Sequence, residues 1–173
     1  TKDGSDNNTG KKLGDAKLTL KAAVGIATNG DVIRVSAGTY VENNPIILPE
    51  QVSIVGDSLR EVTITPQNAA SDLFHVAPGV YLSELSFVGT MNSGSAIVAF
   101  NPDIVYYYTQ SPYIRNCTNF VTNSTGMKID GSKNIGPFKS MVTDSFTQYN
   151  SNGIGVSLSN EGYGQIVSMF NIN

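Results

Sequence analysis

The chain has 173 residues, of which 40% are hydrophobic and 14% are charged, and its formal net charge is −3. This length suits one domain, and the absence of a Lys/Arg cluster argues against a nucleic-acid partner, because phosphate binding requires clustered cations. No apolar stretch approaches the ~18 residues of a membrane span, no signal-peptide pattern is present, and the single cysteine excludes an intrachain disulfide framework.

The first 29 residues divide into a polar lead-in and a helical pattern. Residues 1–14 (TKDGSDNNTGKKLG) are rich in Gly and Asn and have no periodicity, so they are predicted to be a lead-in or linker. Residues 15–29 are predicted to hold a short α-helix, because apolar residues recur there at spacings of three and four. Those residues are Leu20, Ala23, Val24 and Ala27.

The ends of this helix are also indicated by the sequence. Thr19 or Asp15 is the expected N-cap, and Asn29-Gly30 is the expected stop. We expect the helix to cap the apolar end of the β-structure that follows, where unpaired backbone groups would otherwise invite edge-to-edge association.

From residue 30 onward, short β-branched runs alternate with turn residues. The runs are residues 32–35, 45–48, 52–55, 62–65, 73–76 and 81–88. Strands this short and this closely spaced cannot be joined by helical crossovers, and the chain must turn a corner every few residues. The predicted fold of residues 30–173 is therefore all-β, a single-stranded parallel β-helix (β-solenoid).

One pattern recurs in this region, an aliphatic residue followed at +3 and +5 by two further inward candidates. Its four copies are Leu82/Leu85/Phe87, Ile114/Cys117/Asn119, Val142/Ser145/Thr147 and Ile166/Met169/Asn171. In stacked strands, equivalent residues would lie about 4.8 Å apart. The +5 positions then predict a ladder of stacked polar side chains, formed by Asn119, Thr147 and Asn171.

Two segments resemble known families. Residues 30–43 (GDVIRVSAGTYVEN) and 52–66 (VSIVGDSLREVTITP) resemble the opening coils of pectin-lyase-like right-handed parallel β-helices, which pectin methylesterases and phage tail proteins share. Residues 140–170 (SMVTDSFTQYNSNGIGVSLSNEGYGQIVSMF) are similar to virion structural and tail-fibre proteins of tailed phages that infect cyanobacteria. The resemblance implies a right-handed β-helix, assembly as a homotrimer or with other virion proteins, and a virion location after synthesis in the host cytoplasm.

The last residues, Asn171-Ile172-Asn173, form part of a strand-like run without a cap. An open solenoid end would expose apolar surface and hydrogen-bonding edges. We expect the β-helix to continue past this point or to be covered there by another chain.

Two carboxylates form the candidate catalytic pair. If the repeat is aligned as above, Glu84, Asn116 and Asp144 share one outward column, and Arg115 stands beside it. Glu84 and Asp144 would then be two coils apart, about 9–10 Å, near the upper limit that inverting glycosidases use. The alternative is that both are solvated surface carboxylates. The catalytic motifs of pectin methylesterases have no counterpart in this sequence.

Three tyrosines, Tyr106, Tyr107 and Tyr108, lie between Pro102 and Pro112 in the longest departure from the strand pattern. Aromatic side chains in such a position are typical of binding surfaces, because they offer contact area at little entropic cost. The alternative is that this arm folds back and packs on its own solenoid.

Two further residues are considered and set aside as catalytic groups. His75 alternates with apolar neighbours and is expected on a strand face, and Cys117 is expected to be a small buried hydrophobe. No Gly-rich phosphate loop and no cysteine-based zinc pattern is present, so neither a cofactor nor a metal is predicted.

Three hypotheses for function result from these observations. The first is a structural or adhesive segment of a phage tail fibre, spike or baseplate-associated protein that contacts host-surface polysaccharide. The second is a polysaccharide depolymerase, a glycoside hydrolase or lyase acting through Glu84 and Asp144. The third is a secreted carbohydrate-binding solenoid of bacterial origin.

Overall fold

In the computed structural model, residues 1, 3–105, 110–133 and 140–172 are described, and they consist almost entirely of β-strands. The strands are β1 (Val32–Val35), β2 (Gly38–Glu42), β3 (Ile46–Ile47), β4 (Ser53–Gly56), β5 (Val62–Pro66), β6 (Phe74–Val76), β7 (Tyr81–Phe87), β8 (Ala96–Phe100), β9 (Tyr113–Asn119), β10 (Thr125–Asp130), β11 (Ser140–Tyr149), β12 (Ile154–Ser159) and β13 (Tyr163–Ile172). The helical residues are α1 (Leu20–Val24) and two 3₁₀ turns, Leu13–Asp15 and Gly131–Lys133. Each of the six runs predicted between residues 32 and 88 overlaps a strand, so those predictions are confirmed.

The strands form two sheets in which every pairing among the described residues is parallel. The eight-stranded sheet has the order β1-β4-β7-β9-β11-β13, with β2 paired to β5 and β5 to β7. The five-stranded sheet has the order β12-β10-β8-β6-β3. From β6 onward the chain alternates between the two sheets, and each new strand lies beside the previous strand of its own sheet. The expected all-β, parallel fold is therefore present.

The core lies between the two sheets. Phe74 of β6 and Phe87 of β7 belong to different sheets, and their rings meet edge to face with centroids 6.1 Å apart. Along the eight-stranded sheet, Leu85, Cys117 and Phe146 are in register and all are buried. Burial of such side chains stabilises the fold by about 1.5–3 kcal/mol each.

The register corrects one copy of the predicted repeat. In β11 the residue in register with Leu82 and Ile114 is Thr143, and not Val142. The third copy is thus Thr143/Phe146/Gln148, displaced by one residue from the predicted Val142/Ser145/Thr147. The prediction is wrong there because it selected the aliphatic side chain, whereas the buried position is held by a threonine.

A column of left-handed residues explains the +3 spacing of this repeat. Glu84, Asn116, Ser145 and Ser168 occupy equivalent positions in β7, β9, β11 and β13, with φ of 58°, 45°, 54° and 54°. A residue in this conformation interrupts the alternation of a strand. The side chains therefore return to the interior three residues after the previous inward one, and not two.

We expect the Ser145→Gly variant to be more stable than Ser145→Val, and the Thr147→Val variant to be more stable than Thr147→Gly. Left-handed backbone costs an L-residue about 1–2 kcal/mol that glycine does not pay, and both replacements at Ser145 lose the same hydroxyl. Thr147 lies two residues further in the same strand without positive φ, where valine is favoured. Urea unfolding of the four variants measures both differences. A higher free energy of unfolding for the valine variant than for the glycine variant at both positions would contradict the role of the column.

The +5 positions hold a polar ladder whose middle member differs from the prediction. Asn119 is followed in register by Gln148 and then by Asn171, and Thr147 does not take part. The Asn119 Nδ2 donates to Gln148 Oε1 at 2.8 Å, and both side chains are fully buried. Gly126 leaves room for this contact, since a Cβ there would lie 2.7 Å from Gln148 Oε1.

The α-helix is shorter than predicted but has the predicted N-cap. Thr19 Oγ1 accepts the Ala22 N–H at 3.1 Å, and the helix ends at Gly25, well before Asn29-Gly30. The buried Glu42 carboxylate accepts the N–H groups of Leu20 and Lys21 at 2.7 and 3.0 Å. Burial raises the pKa of Glu42, and these two hydrogen bonds oppose the rise. The helix packs against β1, β2 and β3, the first three strands.

The lead-in is attached to the helix by hydrogen bonds. The Asp6 carboxylate accepts the backbone N–H groups of Leu18 and Thr19 at 3.0 and 2.8 Å, and the Thr19 hydroxyl at 2.9 Å. Further along, Asn8 Nδ2 donates to the Ala16 carbonyl. These contacts hold Asp6 and Asn8 of the lead-in against residues 16–19, at the start of the helix.

Candidate functional site

The two candidate carboxylates lie in neighbouring columns of the eight-stranded sheet. Asp144 is in register with Arg115 and Ser83, whereas Glu84 stands one position further along with Asn116. The predicted single column of Glu84, Asn116 and Asp144 is wrong for its third member, because the repeat in β11 begins at Thr143. The predicted separation of Glu84 and Asp144 was derived from that single column, and it therefore no longer applies.

Asp144 is engaged by three side chains. Its Oδ2 accepts the Tyr113 hydroxyl at 3.2 Å and lies 3.5 Å from Arg115 Nε, while Ser145 Oγ donates to Oδ1 at 3.0 Å. Asp144 is 19% exposed, whereas Arg115 is 59% exposed. Partial burial, the hydrogen bond to Asp144 and its charge raise the pKa of the Tyr113 hydroxyl, which remains a donor. The carboxylate thus orients Tyr113 and Arg115.

A pair of tyrosines adjoins this ion pair. Tyr81 and Tyr113 are in register on adjacent strands, with ring centroids 5.9 Å apart and ring planes 34° apart. Both side chains are half-buried and lie on the outward face, since their neighbours Leu82 and Ile114 belong to the core.

We call the set Tyr81, Glu84, Tyr113, Arg115, Asn116 and Asp144 the outer-wall patch. Asn116 Nδ2 donates to Glu84 Oε1 at 2.8 Å, which fixes the second carboxylate. The patch presents aromatic surface, a guanidinium and oriented carboxylate and amide groups. This combination offers an apolar platform with a few convergent polar groups, as sites for polar ligands do.

The tyrosine pair was missed by the reasoning from sequence, although a signal existed. Tyr81 and Tyr113 each directly precede the first residue of a repeat copy, Leu82 and Ile114. Extending the repeat by one residue would have placed the rings side by side. The tyrosines that were predicted as a binding surface, Tyr106, Tyr107 and Tyr108, lie outside the described residues.

A second polar cluster lies on the five-stranded sheet. The Asp72 carboxylate, whose side chain is 11% exposed, accepts Lys128 Nζ at 2.7 Å and the Ala96 N–H at 2.7 Å, and it lies 3.2 Å from His75 Nε2. Burial alone would raise the pKa of Asp72, but the hydrogen bonds from His75, Lys128 and Ala96 outweigh it and lower the pKa. His75 Nε2 donates in this contact, because an ionised carboxylate only accepts, and His75 Nδ1 is buried without a hydrogen-bond partner among the described residues.

Lys128 reaches Asp72 across an intervening strand. His75 of β6 is in register with Ala99 of β8, and Ala99 with Lys128 of β10. Because the Ala99 side chain is small, the Lys128 side chain has room to extend over it to Asp72. A cavity of about 520 Å³ borders this cluster and is also lined by Asn92, Ser93 and Ser95. Because three donors already occupy the carboxylate, we interpret the cluster as a clasp that links β6 to β10.

Cys117 behaves as predicted for a small buried hydrophobe. It is 1% exposed and in register with Leu85 and Phe146. Burial raises the pKa of its thiol to about 12, so the nucleophilic thiolate is not formed at neutral pH.

In the parts of the chain that the structure describes, no group of three or more His, Cys, Asp or Glu side chains is arranged to hold a metal ion. The only α-helix there has five residues, too few to cross a bilayer. Comparison with protein-family models, curated proteins and solved structures gives no match.

Proposed function

We propose that this chain is a segment of a right-handed parallel β-helix that has a structural and adhesive role in a phage tail fibre, spike or baseplate-associated virion protein. The parallel register of β1-β4-β7-β9-β11-β13 supports the β-helix, because stacked equivalent strands are what successive coils of a solenoid produce. The virion location rests on the similarity of residues 140–170 to tail-fibre proteins. A homotrimer and contacts with other virion proteins are part of the same proposal.

The observation that carries the adhesive role is the outer-wall patch. Tyr81 and Tyr113 form an aromatic surface beside the exposed Arg115, and Asp144 holds Tyr113 and Arg115 in place. Sugar rings have apolar faces that pack on aromatic rings and hydroxyl groups that hydrogen-bond to guanidinium and carboxylate groups. The patch therefore suits a host-surface glycan.

Binding of envelope polysaccharide purified from cyanobacteria tests this proposal. We expect the protein to be retained on the immobilised polysaccharide, and we expect Arg115→Ala and Tyr113→Ala each to raise the dissociation constant about tenfold, equivalent to about 1.4 kcal/mol. Arg60→Ala, at an exposed arginine outside the patch, is the matched control and should bind as the wild type. Equal binding by all four proteins would exclude the patch as the contact.

The same preparation separates adhesion from the alternative, a depolymerase acting through Glu84 and Asp144. Mass spectrometry of the polysaccharide after incubation should show no size-defined oligosaccharides. Oligosaccharides that disappear with Asp144→Asn would make the protein an enzyme. The contacts of Asp144 favour adhesion, since an acid or base that already binds Arg115, Tyr113 and Ser145 is poorly free to exchange protons with a substrate.

Mass spectrometry of purified virions tests the proposed location. Peptides of this chain should be found in the tail fraction after chemical separation of the virion. Their absence from every virion fraction would favour the secreted, bacterial carbohydrate-binding protein instead.

A further inference from the structure

The first strand of the eight-stranded sheet has a free edge. Among the described residues β1 pairs only with β4, so alternate N–H and C=O groups on its other side have no strand partner. The inward Ile33 is only partly buried, and the outward Val32 is 56% exposed. Edges of this kind accept an additional strand unless they are blocked.

A groove of about 670 Å³ lies along this edge, and we call it the N-terminal groove. It is lined by residues 10–13 and 16–20, by β1, and by Ala23 of helix α1. Besides Val32, three exposed apolar side chains line it, namely Leu13, Leu18 and Ile26, which are 78%, 43% and 43% exposed. The groove therefore offers apolar contacts next to unpaired backbone groups.

Cations predominate around the groove, although the whole chain has a net charge of −3. Four cationic side chains line it, Lys11, Lys12, Lys17 and Arg34, against two carboxylates, Asp31 and Asp57. In the described residues none of the four cations is in an ion pair. The carboxylates are held by neighbouring groups, since Asp31 accepts from Thr28 and Asp57 from the Ala37 N–H.

We propose that the N-terminal groove binds an extended acidic segment of a partner protein, which adds a strand to the free edge of β1. Backbone hydrogen bonds to β1 would supply affinity that is independent of sequence, as in other cases of β-strand addition. Alternate side chains of the segment would contact Leu13, Leu18 and Ile33. The remaining, acidic side chains would meet Lys11, Lys12 and Arg34.

A second copy of this chain is a poorer occupant on grounds of charge. Two β1 edges facing each other would bring the arginine and lysines of both copies together. Of the other edge strands of this sheet, β13 has the sequence YGQIVSMFNI and carries no acidic side chain, and β2, which pairs only with β5 among the described residues, carries Glu42, whose carboxylate is buried. None of these edges supplies the negative charge that the groove lacks.

Titration of the ¹⁵N-labelled protein with synthetic peptides tests the proposal. The probe is a nine-residue peptide in which valine and glutamate alternate, and the control peptide has lysine in place of glutamate. We expect the glutamate peptide to shift the amide signals of Val32–Val35 and to slow their hydrogen exchange. Its dissociation constant should be at least about tenfold lower than that of the lysine peptide.

The double variant Lys12→Glu/Arg34→Glu should reverse this preference, and the matched control Arg60→Glu/Lys133→Glu should keep it. All four positions are exposed, and unchanged amide signals in the core strands will show that each variant is folded. Three results would overturn the proposal: no effect of the glutamate peptide at millimolar concentration, equal binding of both peptides, or protection of β1 by self-association without peptide.

Discussion

Gln148→Ala is expected to lower the free energy of unfolding by about 3–5 kcal/mol. Gln148 is fully buried, and its amide makes three contacts: it accepts from Asn119 Nδ2 at 2.8 Å and donates to Asn150 Oδ1 and the Ile154 carbonyl at 3.0 and 3.2 Å. Alanine removes all three, so the buried side chains of Asn119 and Asn150 and the Ile154 carbonyl each lose one hydrogen-bond partner. Each such group costs about 1–3 kcal/mol.

Urea unfolding followed by circular dichroism measures this loss. Thr147→Ala, the neighbouring half-buried position of the same strand, is the control and should change stability by less than about 1 kcal/mol. A loss for Gln148→Ala no larger than for the control would show that the polar ladder does not stabilise the stack.

Lys128→Met is expected to destabilise the protein by about 2–4 kcal/mol at pH 7, because it leaves the charge of Asp72 buried without its cation. Asp72 is 11% exposed, and Lys128 Nζ lies 2.7 Å from it. Methionine retains the apolar stem that packs across Ala99. Lys133→Met, at an exposed lysine in the second 3₁₀ turn, is the control and should have little effect.

The stability of Lys128→Met should also depend on pH differently from the stability of the wild type. In the wild type the pKa of Asp72 is lower in the folded state, so its contribution to stability is present above the ordinary carboxyl range and is lost as the pH falls below about 4. Without Lys128, the effect of burial should dominate and raise the pKa of Asp72 in the folded state. Acidification from pH 7 to about pH 4 should then narrow the stability difference between Lys128→Met and the wild type. A constant difference across this range would contradict the clasp.

Much of the fold was predictable because its strands are local in sequence. The run of Val32, Ile33 and Val35 between turn residues identifies a strand without reference to the rest of the chain. The register of β11 was not predictable by the same means. In that strand Thr143 and Gln148 hold buried inward positions beside Phe146, so the buried face is not purely apolar. Gln148 is accepted there because Asn119 of the neighbouring strand supplies a hydrogen bond, whereas the Thr143 hydroxyl is buried without a partner among the described residues.

The candidate sites show the same division between local and distant information. Glu84 and Asp144 were selected from the sequence, but their relative position depended on the register and shifted with it. The contact between Asp72 and Lys128 joins residues 56 positions apart across an intervening strand, and no pattern in the sequence indicates it. The length of α1 also depended on tertiary contacts, since Glu42 of β2 supplies two of the acceptors at its start.

The parallel stacking has a mechanical consequence. Hydrogen bonds between strands point along the stacking direction, so tension in that direction loads the successive strand interfaces in series. The weakest interface then sets the strength of the whole, and strands can separate one after another from an edge of the sheet. A force along the strands instead shears all the bonds of an interface at once. The molecule should therefore withstand a higher force along the strands than along the stacking direction. Optical-tweezers measurements with two attachment geometries can compare the two.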